Sequence, residues 1–113
     1  MTDTIPKEIM AASGAIMILA ILKNGKNYGY EIIQKIKDAT EGKTPWQEAN
    51  IYPVLRKLDK KGLVKSSWDT DTFDRPRKYF VILEPGEKEL KRKMEQWQTV
   101  NVIFEKLLNP AGE

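Results

Sequence analysis

The sequence of 113 residues contains no cysteine and no histidine. Without thiols there is no disulfide and no thiolate metal site, and without imidazole there is no His general base and no histidine ligand for zinc. These absences remove most enzyme classes, and no convincing carboxylate pair replaces them. The sequence therefore predicts no catalytic residue, no metal and no cofactor. Long apolar runs are missing too. The stretch GAIMILAIL, Gly14 to Leu22, falls well short of the ~20 residues that cross a bilayer, and no small-residue cleavage pattern follows it. A soluble, cytoplasmic protein without membrane contact is expected. Internal repeats and low-complexity segments are absent as well, and a chain of this length fits one domain.

What is present is an uneven charge distribution and many aromatics. The formal net charge is only +3, yet Lys43 to Lys78 holds nine Lys/Arg against five Asp/Glu, while the remainder is slightly acidic. The basic excess is local. Three Trp, four Tyr and three Phe are more than so short a chain readily buries, so some are expected to face a partner.

The apolar spacing predicts five elements. Pro6 opens a helix that runs to Leu22 and is apolar nearly all round from Ala15 onward, which suits burial on two sides. Gly14 interrupts it at a cost of about 1 kcal/mol, a cost usually accepted where another helix passes close by. Asn27 is expected to cap a second helix, YGYEIIQKIKDAT, which ends at Gly42. After TPWQ comes a third, EANIYPVLRKLDKKG, with Ile51, Val54, Leu55 and Leu58 inward and Asn50, Arg56, Lys57, Lys60 and Lys61 outward. Pro53 marks an early turn or a bend in it. Leu63 to Trp68 and Arg77 to Leu83 read as two strands of a hairpin, and Pro85 restarts a helix that continues to about Leu108. The fold class is mainly α with a small β-hairpin. Residues 5–83 are expected to form one part that includes the first helix, and residues 84–108 one long C-terminal helix.

Two short helices followed at once by a two-stranded ribbon describe a winged helix-turn-helix, whose second helix enters the major groove while the ribbon lies along phosphates. The local basic excess falls on these two elements. Asn50 and Tyr52 lie near the start of the third helix, within reach of base edges, and Arg56 and Lys57 suit bases or flanking phosphates. Arg75, Arg77 and Lys78 are candidate wing contacts to phosphate or the minor groove. Of these three, Lys78 is the one whose direction the strand's alternation puts in question, and of Tyr79 and Phe80, one on each face, one should anchor the ribbon to the core. Any single lysine here is more often a solvated residue than a contact, and Lys60 and Lys61 suit the helix dipole without any partner. The whole constellation favours double-stranded DNA.

The last helix carries the stripe Leu90, Met94, Trp97, Asn101, Phe104 and Leu108, spaced four, three, four, three, four, as in a heptad seam facing another helix. A second copy of the chain is the natural partner, completed by the overlong apolar first helix. A homodimer of this kind reads a palindromic operator, with half-sites about 34 Å apart. Asn101 in the seam reads as a register-setting polar residue; the alternative is a cavity in which Trp97 and Asn101 meet a ligand.

The strings YGYEIIQKI, NIYPVLRKLDKKGLVKSSW and RPRKYF, with the later GEKEL and Trp97, closely resemble the PadR family of bacterial transcriptional regulators, over nearly the whole chain. The opening IPKE and the single C-terminal helix look most like its small LmrR-like subgroup of multidrug-sensing repressors. The resemblance implies a homodimeric winged-helix repressor in which the C-terminal helix packs on the partner's first helix. It also implies an apolar pore at the dimer centre where planar aromatic molecules sit between paired tryptophans, with Trp97 matching that tryptophan and Ile16, Ala20 and Met94 lining the same space. Asn101 stands where the subgroup has an acid, which removes the reason to prefer cationic ligands. Leu83 stands where a capping Thr is common, leaving Glu84 as the expected cap, and FDRP replaces a glycine-rich wing tip. Open alternatives are a regulator of the same fold with no effector, one responsive to phenolic acids, and a protein-binding adaptor that uses the fold without DNA.

Overall fold

The computed structural model describes residues 4–70 and 76–111. Arg75 and most of the expected wing tip fall outside them. The order is α1 (Lys7–Lys23), β1 (Asn27–Tyr28), α2 (Gly29–Ala39), α3 (Glu48–Lys60), β2 (Val64–Asp69), β3 (Arg77–Ile82) and α4 (Glu84–Leu108). The expected winged helix-turn-helix is thus present, with one strand more than the sequence suggested.

That strand corrects the reading of Asn27. Asn27 and Tyr28 pair with Phe80 and Tyr79, giving a three-stranded antiparallel sheet in the order β1-β3-β2. Asn27 is buried, its Nδ2 donating to Gly25 O at 3.1 Å, so it does not cap α2. Tyr28 holds the cap position, and its backbone N–H donates to Glu31 Oε1 at 3.0 Å. At the other end, Gly42 has φ +78 and its N–H reaches Lys37 O at 2.8 Å, the left-handed stop that glycine adopts at little cost.

Ile18, Leu19 and Leu22 of α1 meet Ile32, Ile33 and Ile36 of α2, Ile51, Leu55 and Leu58 of α3, and Val64 and Phe80 of the sheet in one buried core. The two helices of the motif are therefore oriented by aliphatic side chains at helical spacing. Phe80 is the aromatic that anchors the ribbon, while Tyr79 stays on the other face, partly exposed. Pro53 sits inside α3 on its exposed side without ending it.

Gly14 serves a different purpose from the one its position suggested. A Cβ there would lie 2.0 Å from Cη2 of Trp46, so the glycine makes room for an indole from the α2–α3 connection, not for a passing helix. At the start of α4, a Cβ on Gly86 would lie 2.2 Å from the backbone carbonyl of Leu63. That carbonyl also accepts the Leu83 N–H at 2.9 Å. Leu83, not Glu84, is the N-cap, with Pro85 in the first turn, and the close approach at Gly86 sets where α4 leaves the sheet. Beyond Leu90, α4 buries none of its remaining residues, and the longest dimension of the chain is 62 Å.

Candidate nucleic-acid interface and apolar groove

The outer face of α3 and one edge of the ribbon border a single open groove. Pro53, Arg56, Lys57, Asp59 and Lys60 come from the helix and Lys78 from β3. Helical spacing explains the helix contribution, since residues three and four apart share a face. Strand register explains Lys78, which pairs with Trp68 on the same face as Phe80 and the core. The alternation therefore turns Lys78 towards α3 and Arg77 away from it, so of the two expected wing contacts only Lys78 borders this groove. Four cations and one carboxylate line this groove. The carboxylate, Asp59, accepts the Ser66 hydroxyl at 3.3 Å, which ties the end of α3 to β2.

The remaining candidates on α3 have local partners. Asn50 Oδ1 accepts the Gln47 N–H at 2.7 Å and so caps the helix. Its side borders a second groove with Lys7, Ala11, Ala15, Pro45, Trp46, Val54 and Lys57. Lys57 stands on the ridge between the two grooves, so Asn50 is next to the cationic face without being part of it. Tyr52 is partly exposed, its ring lies where a Cβ on Gly29 would have to go, and its hydroxyl donates to Glu48 Oε1 at 3.3 Å. Partial burial, followed by the Glu48 charge, raises its pKa above the usual tyrosine value.

Arg77 belongs to a cluster on the opposite face of the sheet. Its guanidinium carbon lies 4.0 Å from the Tyr28 ring centroid, and it pairs across the strands with Asp69. The Tyr28 hydroxyl donates to Asp69 Oδ2 at 2.5 Å, a hydrogen bond that raises the Tyr28 pKa. Tyr79 meets Tyr28 edge to face at 6.3 Å, with Lys26 Nζ 4.5 Å from the Tyr79 centroid. This alternation of cations and rings joins β1 to the outer rungs of the ribbon.

A separate, mainly apolar groove runs between α1 and α4, bordered by Ile9, Ser13, Ile16, Met17, Ala20, Met94 and Trp97, with the Ser13 hydroxyl donated to Ile9 O at 2.6 Å. It brings together four of the five residues expected around a ligand: Ile16, Ala20, Met94 and Trp97. Asn101 lies one turn further along α4, exposed, and does not border it. Trp97 is 39% exposed, Phe104 56% and Leu108 84%, so the stripe faces outward after Leu90.

Sequence reasoning placed Lys60 on the outer face but left it out of the site, although its spacing from Arg56 and Lys57 carried the signal. The place of Trp68 beside Lys78 depends on register and left no signal in residue spacing. Among the described residues no group of acids, His or Cys is placed to hold a metal ion, and no helix is long and apolar enough to cross a membrane.

Comparisons with known proteins agree with this architecture. The model of the transcriptional regulator PadR-like family matches residues 18–92. A transcriptional regulator from Clostridium thermocellum superposes with a TM-score of 0.81 at 29% identity, covering 91% of this chain and 97% of its own. A PadR-family transcriptional regulator from Eggerthella lenta gives 0.78 at 28% identity, covering 89% and 86%. A protein of Lysinibacillus sphaericus known only as "Uncharacterized protein X" is 29% identical over 89 residues, 79% of this chain and 82% of that one.

Proposed function

The chain belongs to the PadR-like family of transcriptional regulators, which bind DNA and are not enzymes, and from that premise we propose that it is a repressor acting as a homodimer on a palindromic operator. The observation that carries this reading is the groove in which Arg56, Lys57, Lys60 and Lys78 converge. A duplex carries a negative charge at every phosphate, and a row of cations flanked by a helix and a ribbon is complementary to one strand of it. Lys57 also borders the neighbouring groove that holds Asn50, which keeps Asn50 beside this row of cations.

Dimerisation is supported by α4. Trp97, Val100, Ile103, Phe104, Leu107 and Leu108 are exposed in the single chain, and apolar side chains in such number on one helix are stabilised when a second copy covers them. The apolar face of α1, with Ile9 49% exposed, completes the surface.

The effector proposed is a planar aromatic molecule, as in the small LmrR-like subgroup, held at Trp97 with Ile16, Ala20 and Met94. The groove at these residues carries no charged side chain and its one hydroxyl, Ser13, is donated to Ile9 O, which suits a neutral ring, and Asn101 supplies no charge to attract a cation. An effector that fits one spacing of the two DNA-binding parts better than the other weakens operator binding by its differential affinity.

The deciding experiment is titration of a duplex from upstream of its own gene at several salt concentrations. A steep negative slope of log affinity against log salt is expected. Affinity independent of salt, or no binding, would overturn the reading in favour of an adaptor.

A further inference from the structure

Trp68 is the largest side chain of β2 and is 61% exposed. Its position on the ribbon makes that exposure informative. In the β2–β3 register, Val64 faces Ile82, Ser66 faces Phe80 and Trp68 faces Lys78. Directly opposed residues share a face of the sheet, and that face alternates with the other along each strand. Val64 and Phe80 are buried in the core. Trp68 therefore points to the same side, at the rung where the ribbon has already left the core, and folding of the described chain leaves its indole largely in water.

Its surroundings are cationic. Lys78 Nζ lies 5.7 Å from the indole centroid, and Lys78 borders the same groove as Arg56, Lys57 and Lys60. A nucleic-acid strand alternates a phosphate anion with an apolar deoxyribose ring. The groove cations match the first, and an exposed indole one cross-strand step from Lys78 matches the second. No other Trp is so placed: Trp46 packs on Gly14 and Trp97 lies on α4.

We infer that Trp68 is a direct contact to operator DNA, its indole laid against a deoxyribose of the strand whose phosphates are held by Lys78 and the α3 cations. The contact is apolar and independent of base sequence. It rests on the DNA-binding reading above and adds to it an uncharged residue that holds the backbone between two phosphate contacts.

The contact has a signature that a cation lacks. Fluorescein-labelled duplexes, one from upstream of the protein's own gene and one unrelated and of equal length, are titrated by anisotropy. Trp68→Ala should weaken both by a similar factor, roughly tenfold, on the scale of losing one buried apolar side chain. The salt slope should stay unchanged, because an indole neutralises no phosphate and so releases no counterion. In parallel, the intrinsic fluorescence of the wild-type chain should change on duplex addition, and the change should be lost in Trp68→Phe while anisotropy still reports binding. Unchanged affinity in Trp68→Ala, or the same fluorescence change in Trp68→Phe, overturns the inference and leaves the DNA-binding reading standing. No salt-dependent binding by the wild type overturns both. Should circular dichroism show Trp68→Ala unfolded, the Trp68→Phe comparison decides.

Discussion

The Tyr28 hydroxyl donates to Asp69 Oδ2 at 2.5 Å across 41 positions of sequence, fastening the start of α2 to the outer end of β2. Arg77 covers the Tyr28 ring at 4.0 Å, so the outer end of the paired ribbon is tied to the start of α2 by one hydrogen bond and one cation–ring contact. Together with the burial of Val64 and Phe80 in the core and the Ser66–Asp59 hydrogen bond, this tie attaches the ribbon to the helices.

Tyr28 donates only while protonated, and its folded-state pKa is raised, first by the hydrogen bond to Asp69 and then by burial. The folded protein therefore holds this proton to higher pH than the unfolded chain. The stabilisation is fully present below the ordinary tyrosine pKa of about 10 and is lost as pH rises above it through the raised value. Urea titrations should show a decline in stability above about pH 10 that is shallower in Tyr28→Phe. An identical decline in both chains contradicts the assignment.

Gly14→Ala should destabilise the chain despite the better helix propensity of alanine. Propensity favours the change by about 1 kcal/mol, but the new Cβ would lie 2.0 Å from the Trp46 indole, and forced overpacking costs about 1–3 kcal/mol. In a Trp46→Ala background the same substitution should become neutral or stabilising. Thermal denaturation of the four chains gives the coupling directly.

Lys78 and Arg77 are adjacent in sequence and face opposite ways. Lys78→Gln should lower the salt slope of DNA binding by about one phosphate's worth, whereas Arg77→Gln should mainly lower stability by removing the cover over Tyr28. Equal salt slopes for the two variants, measured by anisotropy at several ionic strengths, would contradict the groove as the DNA contact.

Trp97→Ala should leave operator affinity within a few-fold of the wild type while abolishing quenching of intrinsic fluorescence by planar aromatic dyes. Persistent quenching in that variant would place the dye elsewhere.

Phe104→Glu and Leu107→Glu put charges on side chains that are 56% and 71% exposed in the single chain. If a second copy covers them, burial of an unpaired carboxylate breaks the dimer, and sedimentation velocity should show monomer at concentrations where the wild type is dimeric. Secondary structure by circular dichroism should be little changed, since neither residue contributes to the core.

Much of this was legible from residue spacing. Ile32, Ile33 and Ile36 and then Ile51, Leu55 and Leu58 fixed the inner faces of α2 and α3 because a helix repeats its face every three or four residues, and the outward Arg56 and Lys57 followed from the same period. The strip from Leu90 to Leu108 was legible for the same reason. What spacing cannot carry is pairing between distant segments. Two-residue β1 has no periodicity of its own; it is a strand only because β3 offers it hydrogen bonds, and that pairing took Asn27 from a cap into the core. Register likewise decided which of Arg77 and Lys78 meets α3, since a shift of one residue reverses every side chain. The backbone approaches at Gly14 and Gly86 were settled by tertiary packing alone, because a missing side chain leaves no trace in a sequence of what will occupy its place. Residue order alone set the helices, their faces and the location of the positive charge; packing set which charges converge, because convergence depends on distances between residues far apart in the chain.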